Sequence, residues 1–173
     1  MMLCLVSQGC CLAYRGDVAA AQSAGRAAIA AGAELDIVLE LAATTVLAIA
    51  AVADGDVDTA RKLGAKVWGL PAVHRGTVAV STIALCAHVD GDLARAQELA
   101  DESVATLAGW HRLFALSIRA HIAADRGDDE QARRDAHQAL SIAADNQGRL
   151  AVPTILELLA RLAVGTGNHA DAT

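Results

Sequence analysis

A short element, Gly-Asp-x-x-x-Ala, recurs along this 173-residue chain and constrains its fold more than any other feature. It stands at Gly16-Asp17…Ala21, Gly55-Asp56…Ala60, Gly91-Asp92…Ala96 and Gly127-Asp128…Ala132, with a fifth copy, Gly167-Asn168…Ala172, carrying Asn for Asp. The offsets between successive glycines are 39, 36, 36 and 40 residues, a period that belongs to helix-pair repeats. The element has a direct physical meaning. Glycine can take the left-handed conformation that ends a helix, and Asp or Asn beside it is a preferred N-cap for the next one. Each copy therefore predicts helix A, a tight turn and helix B.

Further columns keep the same register. Seven residues before each turn glycine stand Gly9, Ala48, Ala84, Ala120 and Ala160. Nine after it stand Gly25, Gly64, Ala100 and Ala136, and twelve after it Ala28, Val67, Ser103 and Ala139. Glycine inside a helix costs about 1 kcal/mol relative to alanine, so Gly25 and Gly64 point to helices crossing at close range. The register predicts A helices near 2–14, 36–53, 72–89, 110–125 and 150–165, and B helices near 18–32, 57–69, 92–107 and 129–146, with a truncated start at 168. Pro71 and Pro153 fall at the beginnings of A helices, where proline is tolerated. No linker or low-complexity run divides the chain, so residues 1–173 read as one repeat domain. The expected fold is an all-α right-handed solenoid of about five helix-turn-helix repeats, the last incomplete.

Composition agrees. Alanine supplies roughly a quarter of the residues, far above its usual share, and aromatics only 2%. A core of Ala and Leu must bring backbones close together, which suits packed helices and not a sandwich or barrel. The formal charge of −6 argues against direct nucleic-acid binding, which wants a basic surface. No segment reaches the ~18 uncharged residues of a membrane span. The opening Met1-Met2-Leu3-Cys4-Leu5-Val6 lacks the basic start of a signal peptide, so a cytoplasmic location is expected. Cys4, Cys10, Cys11 and Cys86 show no CxxC spacing and read as small buried hydrophobes in a reducing compartment. Abundant Ala, Gly, Arg and Val beside scarce Lys fits a GC-rich genome.

The register resembles the tetratricopeptide repeat (TPR), which places small residues seven before, five after and twelve after its turn glycine. Ala48, Ala60 and Val67 match in repeat two, and Ala120, Ala132 and Ala139 in repeat four. The period exceeds that family's 34 residues, its helix-packing aromatics are missing, and Gln8 occupies a position where a large apolar residue is expected. The Ala-rich Gly-Asp repeats, ending in Leu158-Leu159-Ala160-Arg161-Leu162-Ala163 and then Gly167-Asn168-His169-Ala170-Asp171-Ala172, are also similar to the helical-repeat region of large ATP-dependent LuxR-type transcriptional regulators. These form the MalT-like group, as found in actinobacteria. The nucleotide loop GxxxxGK[ST] of that group is absent from these residues, as is its helix-turn-helix. The resemblance implies a protein-interaction or effector-sensing module without motor or DNA reader, binding a protein, a peptide or other regulator domains. A free-standing adaptor that takes a peptide or self-associates is the alternative.

In TPR proteins the A helices line the concave face. The resemblance then assigns to a groove Leu3, Val6 and Cys10; Ala42, Thr45 and Ile49; Val78, Ser81, Leu85 and His88; Phe114, Ser117, His121 and Asp125; and Thr154, Glu157 and Arg161. The residues taken as the partner-binding set are Thr45, Ile49, Ser81, Leu85, His88, Phe114, Ser117, His121, Glu157 and Arg161. The first three repeats would offer an apolar wall, the last two a polar one. Independently of any family, residues 36–53 are apolar almost all round after Glu40 and so predict burial on more than one side.

His88 and His121 could face each other from neighbouring repeats, but a metal site needs a third ligand and support behind it. Only Asp125 offers itself, so no metal and no cofactor is expected. Asp17, Asp56, Asp92 and Asp128 read as caps and not as acid–base groups. The run Asp125-Arg126-Gly127-Asp128-Asp129-Glu130 reads as a turn followed by an acidic first helical turn. Arg133, Arg134 and His137 read as solvated surface. With no Gly-x-Ser-x-Gly, no HExxH and no supported Cys–His pair, no enzyme is expected.

Overall fold

The computed structural model describes residues 2–32, 37–69, 76–145 and 150–165. All the regular elements among them are α-helices: α1 (Met2–Tyr14), α2 (Val18–Gly32), α3 (Ile37–Asp54), α4 (Val57–Trp68), α5 (Gly76–Val89), α6 (Leu93–Thr106), α7 (Gly109–Asp125), α8 (Asp129–Asp145) and α9 (Val152–Gly165). Odd numbers are A helices and even numbers B helices. Their bounds follow the register to within about two residues wherever the expected ends are described. The expected start of α5, with Pro71, and the fifth turn at Gly167-Asn168 lie outside the described residues.

The four Gly-Asp turns are built alike. Each glycine has a positive φ: +78° at Gly16, +73° at Gly55, +84° at Gly91 and +80° at Gly127. In each, the glycine N–H donates three residues back and the aspartate N–H five back: Gly16 to Ala13 and Asp17 to Leu12, Gly127 to Ala124 and Asp128 to Ala123. That is the Schellman closure of the last helical carbonyls. The same aspartate then caps the following helix. Asp17 Oδ1 accepts from the Ala20 N–H at 3.3 Å, Asp56 from Thr59 at 3.0 Å, Asp92 from Arg95 at 3.1 Å and Asp128 from Gln131 at 3.0 Å. The Thr59 hydrogen bonds hold the Asp56 carboxyl below its ordinary range. Pro153 lies in the first turn of α9, where no intrahelical N–H partner is lost.

The small-residue columns are where the helices meet. Ala21, Ala60, Ala96 and Ala132 are fully buried, as are Ala28, Ser103 and Ala139, with Val67 nearly so. A Cβ placed on Gly25 would stand 2.6 Å from Leu47 Cδ2, and one on Gly64 would stand 3.0 Å from Cys86 Cβ. The close crossings expected of these glycines are present. Gly9 is tighter still, because its Cβ would lie 2.5 Å from Val46 Cγ1.

The chain divides into two compact units, Met1–Ala96 and Gln97–Thr173. In the first, α1 packs on α2 and α3, α3 on α2, α4 and α5, and α4 on α5. α1 and α3 thus each touch their own B helix and the next A helix. α3 is covered on several sides, as its all-round apolar sequence required: Ala43, Val46, Ala48, Ala50 and Ala51 are all buried. In the second unit α7 and α9 pack on α8 and on each other, around Leu113, Leu116, Ala120, Ala136, Ile155 and Leu158.

The turn glycines yield a direct prediction. A Cβ on Gly91 meets nothing within 4 Å, so Gly91→Ala isolates the left-handed backbone penalty of about 1–2 kcal/mol. Urea unfolding should show that loss for Gly91→Ala and a smaller one for Gly91→Asn, since asparagine tolerates this conformation better.

Candidate functional site

On the A helices the expected binding residues fall into two columns with different environments. Thr45, Ser81 and Ser117, ten before their turn glycines, are buried. Thr45 Oγ1 donates to the Leu41 carbonyl of its own helix at 3.0 Å, and Ser81 Oγ has no hydrogen-bond partner among the described residues. These hydroxyls are packing groups within the helix layer. Ile49, Leu85 and His121, six before the glycine, are half-buried, as are His88 and Phe114. Glu157 and Arg161, one turn apart on α9, are exposed. The second column is thus partly exposed, and on α9 Glu157 and Arg161 face solvent while Ile155, Leu158, Leu162 and Ala163 are buried. Leu3 and Val78 lie among residues whose side chains are not described.

Sequence reasoning passed over the large apolar side chains that do reach the surface. Trp110 is 37% exposed and stands edge-on to Phe114, with ring centroids 5.0 Å apart. On α9, Leu156 and Val164 are 51% and 54% exposed. The residue in the register position of Leu156 in repeat four is Leu116, which is fully buried. Spacing carried the signal for Trp110, because it lies one turn before Phe114. On the B helices, the Arg95 guanidinium sits 4.1 Å from the centre of the Trp68 ring.

His121 Nδ1 lies 2.8 Å from the Ser117 carbonyl oxygen of its own helix. No group of three His, Cys, Asp or Glu side chains that could hold a metal occurs among the described residues. Arg133 departs from the solvated role expected of it: it is half-buried, and its Nη2 donates to the Leu162 carbonyl on α9 at 2.8 Å. Arg134 and His137 are exposed, and Arg134 pairs with Glu130.

The expectation that all four cysteines are buried needs correction. Cys86 is buried and Cys10 half-buried, but Cys4 and Cys11 are exposed. α1 turns Gly9 and Ala13 inward, which places residues 4 and 11, two turns apart, on the outer side. Burial pushes the Cys10 thiol up to about 11, with the adjacent Cys11 adding to it, and burial alone takes Cys86 to about 11. Only the thiolate is the reactive species. Ellman's reagent at neutral pH should therefore titrate Cys4 and Cys11 first, with Cys10 and Cys86 slower on the order of a hundredfold.

A carboxylate enters the core of the second unit. Asp135 on α8 is 1% exposed. Arg119 Nε donates to its Oδ2 at 2.7 Å and Arg119 Nη2 to its Oδ1 at 2.8 Å, a bidentate pair. Gln131 Nε2 donates to Asp135 Oδ1 at 2.8 Å, and Arg119 Nη1 to Asp101 Oδ1 at 3.0 Å. The hydrogen bonds to Asp135 raise the Arg119 guanidinium above its ordinary range, outweighing burial. The repeat register shows how unusual this pair is. Eight before the other turn glycines stand Gln8, Leu47, Ile83 and Leu159, and eight after them Ala24, Leu63 and Leu99.

Removing one member of a buried pair strands the other, whereas replacing both with apolar groups is often neutral. Asp135→Ala should destabilise the chain by about 2–4 kcal/mol, because the Arg119 edge keeps some solvent. The double change Arg119→Leu with Asp135→Leu, which restores the apolar pattern of repeats two and three, should stay within about 1 kcal/mol of the parent. Thermal or denaturant unfolding of the two variants decides it.

No protein-family model matches the chain. Over 172 residues it is 36% identical to provisionally named HTH-type transcriptional regulators, Mb0914c of Mycobacterium bovis and Rv0890c of Mycobacterium tuberculosis. The match takes in 98% of this chain and 19% of each of those proteins, so the chain spans about a fifth of the length of the curated relatives it matches. Among solved structures, a single-substitution form of a provisionally named kinesin light chain of Podosopora anserina, built of nearly identical TPR-like repeats, aligns with a TM-score of 0.58. It shares 23% identity, and the alignment covers 99% of this chain and 89% of that one. A second structure of that protein gives 0.56, 21%, 99% and 89%. These likenesses show the fold: a TPR-like solenoid of helical repeats.

Proposed function

We propose that this chain is the partner-binding or effector-sensing repeat module of a LuxR-type, ATP-dependent transcriptional regulator. The observation that carries this reading is the 36% identity, running through 98% of the chain, to proteins named as HTH-type regulators. The residues that match lie in helical repeats and include neither a GxxxxGK[ST] nucleotide loop nor a helix-turn-helix reader. The module's work is then recognition. TPR-like helical repeats are generally protein-interaction modules, and stacking leaves each repeat free to vary its exposed positions. The surfaces offered are taken unit by unit: Ile49, Leu85 and His88 on the A helices of the first, and Phe114, His121, Glu157 and Arg161 on those of the second.

A free-standing adaptor that pairs with a second copy is the other reading, and the exposed Trp110, Leu156 and Val164 favour it. Large apolar groups left in water promote association. Affinity capture with the purified chain, read by mass spectrometry and light scattering, separates the two. The regulator reading expects a distinct protein, or other regulator domains, retained by the parent chain and lost with Phe114→Ala and Arg161→Glu at unchanged helicity. Recovery of this chain alone, with a doubled mass in solution, overturns it in favour of self-association.

A further inference from the structure

Around the Arg119–Asp135 pair the second unit holds a polar recess of about 370 Å³, lying between α6, α7 and the start of α8. That volume is within the range of small-molecule sites. Ala123 leaves space on α7, and the recess is lined by Arg119, Arg126, Asp101, Asp128 and two glutamines.

Its unused hydrogen-bonding capacity has both signs. A guanidinium has five N–H donors; Arg119 places two on Asp135 and one on Asp101, leaving two. The Arg126 guanidinium, at the C-cap of α7, makes no bond or ion pair among the described residues. Asp101 uses only Oδ1, toward Gln97 and Arg119, and Asp128 uses only Oδ1, toward the Gln131 N–H. The cluster has three carboxylates, Asp101, Asp128 and Asp135, against two guanidiniums, Arg119 and Arg126. A phosphate or another dianion would meet net repulsion there. A bare ammonium would leave Arg126 unanswered. What answers both halves is a small molecule with a carboxylate at one end and an ammonium at the other.

We propose that this recess binds a free α-amino acid, with its carboxylate on Arg126 and the remaining Arg119 N–H groups and its ammonium on Asp101 and Asp128. The ion pair behind it explains why repeat four alone keeps Arg and Asp at positions that repeats two and three fill with aliphatic side chains. A buried pair adds little stability over an apolar one, but it fixes the guanidinium of Arg119, which lines the recess. Pre-placed charge of this kind is what a small zwitterion requires. None of the lining residues belongs to the A-helix binding column, so the inference stands or falls separately from the partner-binding reading.

The test uses the full chain and L-alanine, with arginine Nε–Hε signals followed by NMR. The expected result is saturable shifts of the Arg119 and Arg126 signals, with a Kd of the order of millimolar. Acetate and ethylamine, each carrying half of the zwitterion, should bind at least about tenfold more weakly. Arg126→Gln should weaken L-alanine by about tenfold or more without moving the unfolding midpoint, because that side chain is exposed. Shifts that stay linear up to about 50 mM overturn the proposal. So does acetate or inorganic phosphate binding as tightly as L-alanine, and so does an Arg126→Gln chain that binds as the parent does.

Discussion

The glycine–aspartate turn closes two helices at once, and the rest of the architecture depends on that double role. Its glycine supplies a left-handed backbone and ends helix A by Schellman hydrogen bonds; its aspartate N–H completes that closure while its carboxylate opens helix B. With no residue between the two tasks, helix B must fold straight back along helix A. Two helices joined so tightly can pack only where their facing residues are small. The fully buried alanines five after each glycine, and the small residues nine and twelve after it, are the consequence. Scarcity of aromatic residues follows from the same geometry, since a ring in any of those columns would push the pair apart.

Local chemistry of this kind can be read from a single sequence because it repeats. A lone Gly-Asp is weak evidence, but four copies aligned with three small columns fix the helix order and place nearly every helix boundary. The same register explains why α3 had to be buried on several sides: repeat two lies between neighbours that both present A helices to it. Where the pattern was carried over by family likeness instead, it proved coarser. The A-helix assignment merged two columns, and the structure separates a buried hydroxyl column at Thr45, Ser81 and Ser117 from a more open one at Ile49, Leu85 and His121. A helical period of about 3.6 puts such positions on roughly one face but does not say which of them the adjacent helix covers.

Arg119 and Asp135 were legible in principle and easy to pass over. Read alone, an arginine in a helix and an aspartate sixteen residues later look like ordinary surface charges. Compared by column, they occupy positions that other repeats fill with Leu47, Ile83, Leu63 and Leu99. Exceptions within a register are therefore more informative about function than the register itself, which reports packing. Cys4 and Cys11 show the opposite limit. Their exposure depends on which side of α1 its neighbours cover, and repeat one has no column of equivalent cysteines elsewhere to compare.

Helical repeats contact mainly their neighbours, so the cost of a charged pair in one repeat is met locally and need not disturb the rest. That independence lets a repeat module carry recognition at several places without one compromising another. On the proposed reading the half-buried A-helix residues would contact a partner segment, while the recess beside α8 sits among residues with their own ion-pair support. If the chain serves as a module of a longer regulator, as proposed, it needs no catalytic group to affect the outcome. A small ligand that bridges α6, α7 and α8 would favour whichever arrangement of those helices holds Arg119 in place, and linkage then requires any partner sensitive to that arrangement to feel the ligand's occupancy. Coupling would be limited to the differential affinity of the ligand for the two arrangements, which for a weak zwitterion is small. A module of this design therefore suits graded tuning of an assembly better than an all-or-none switch.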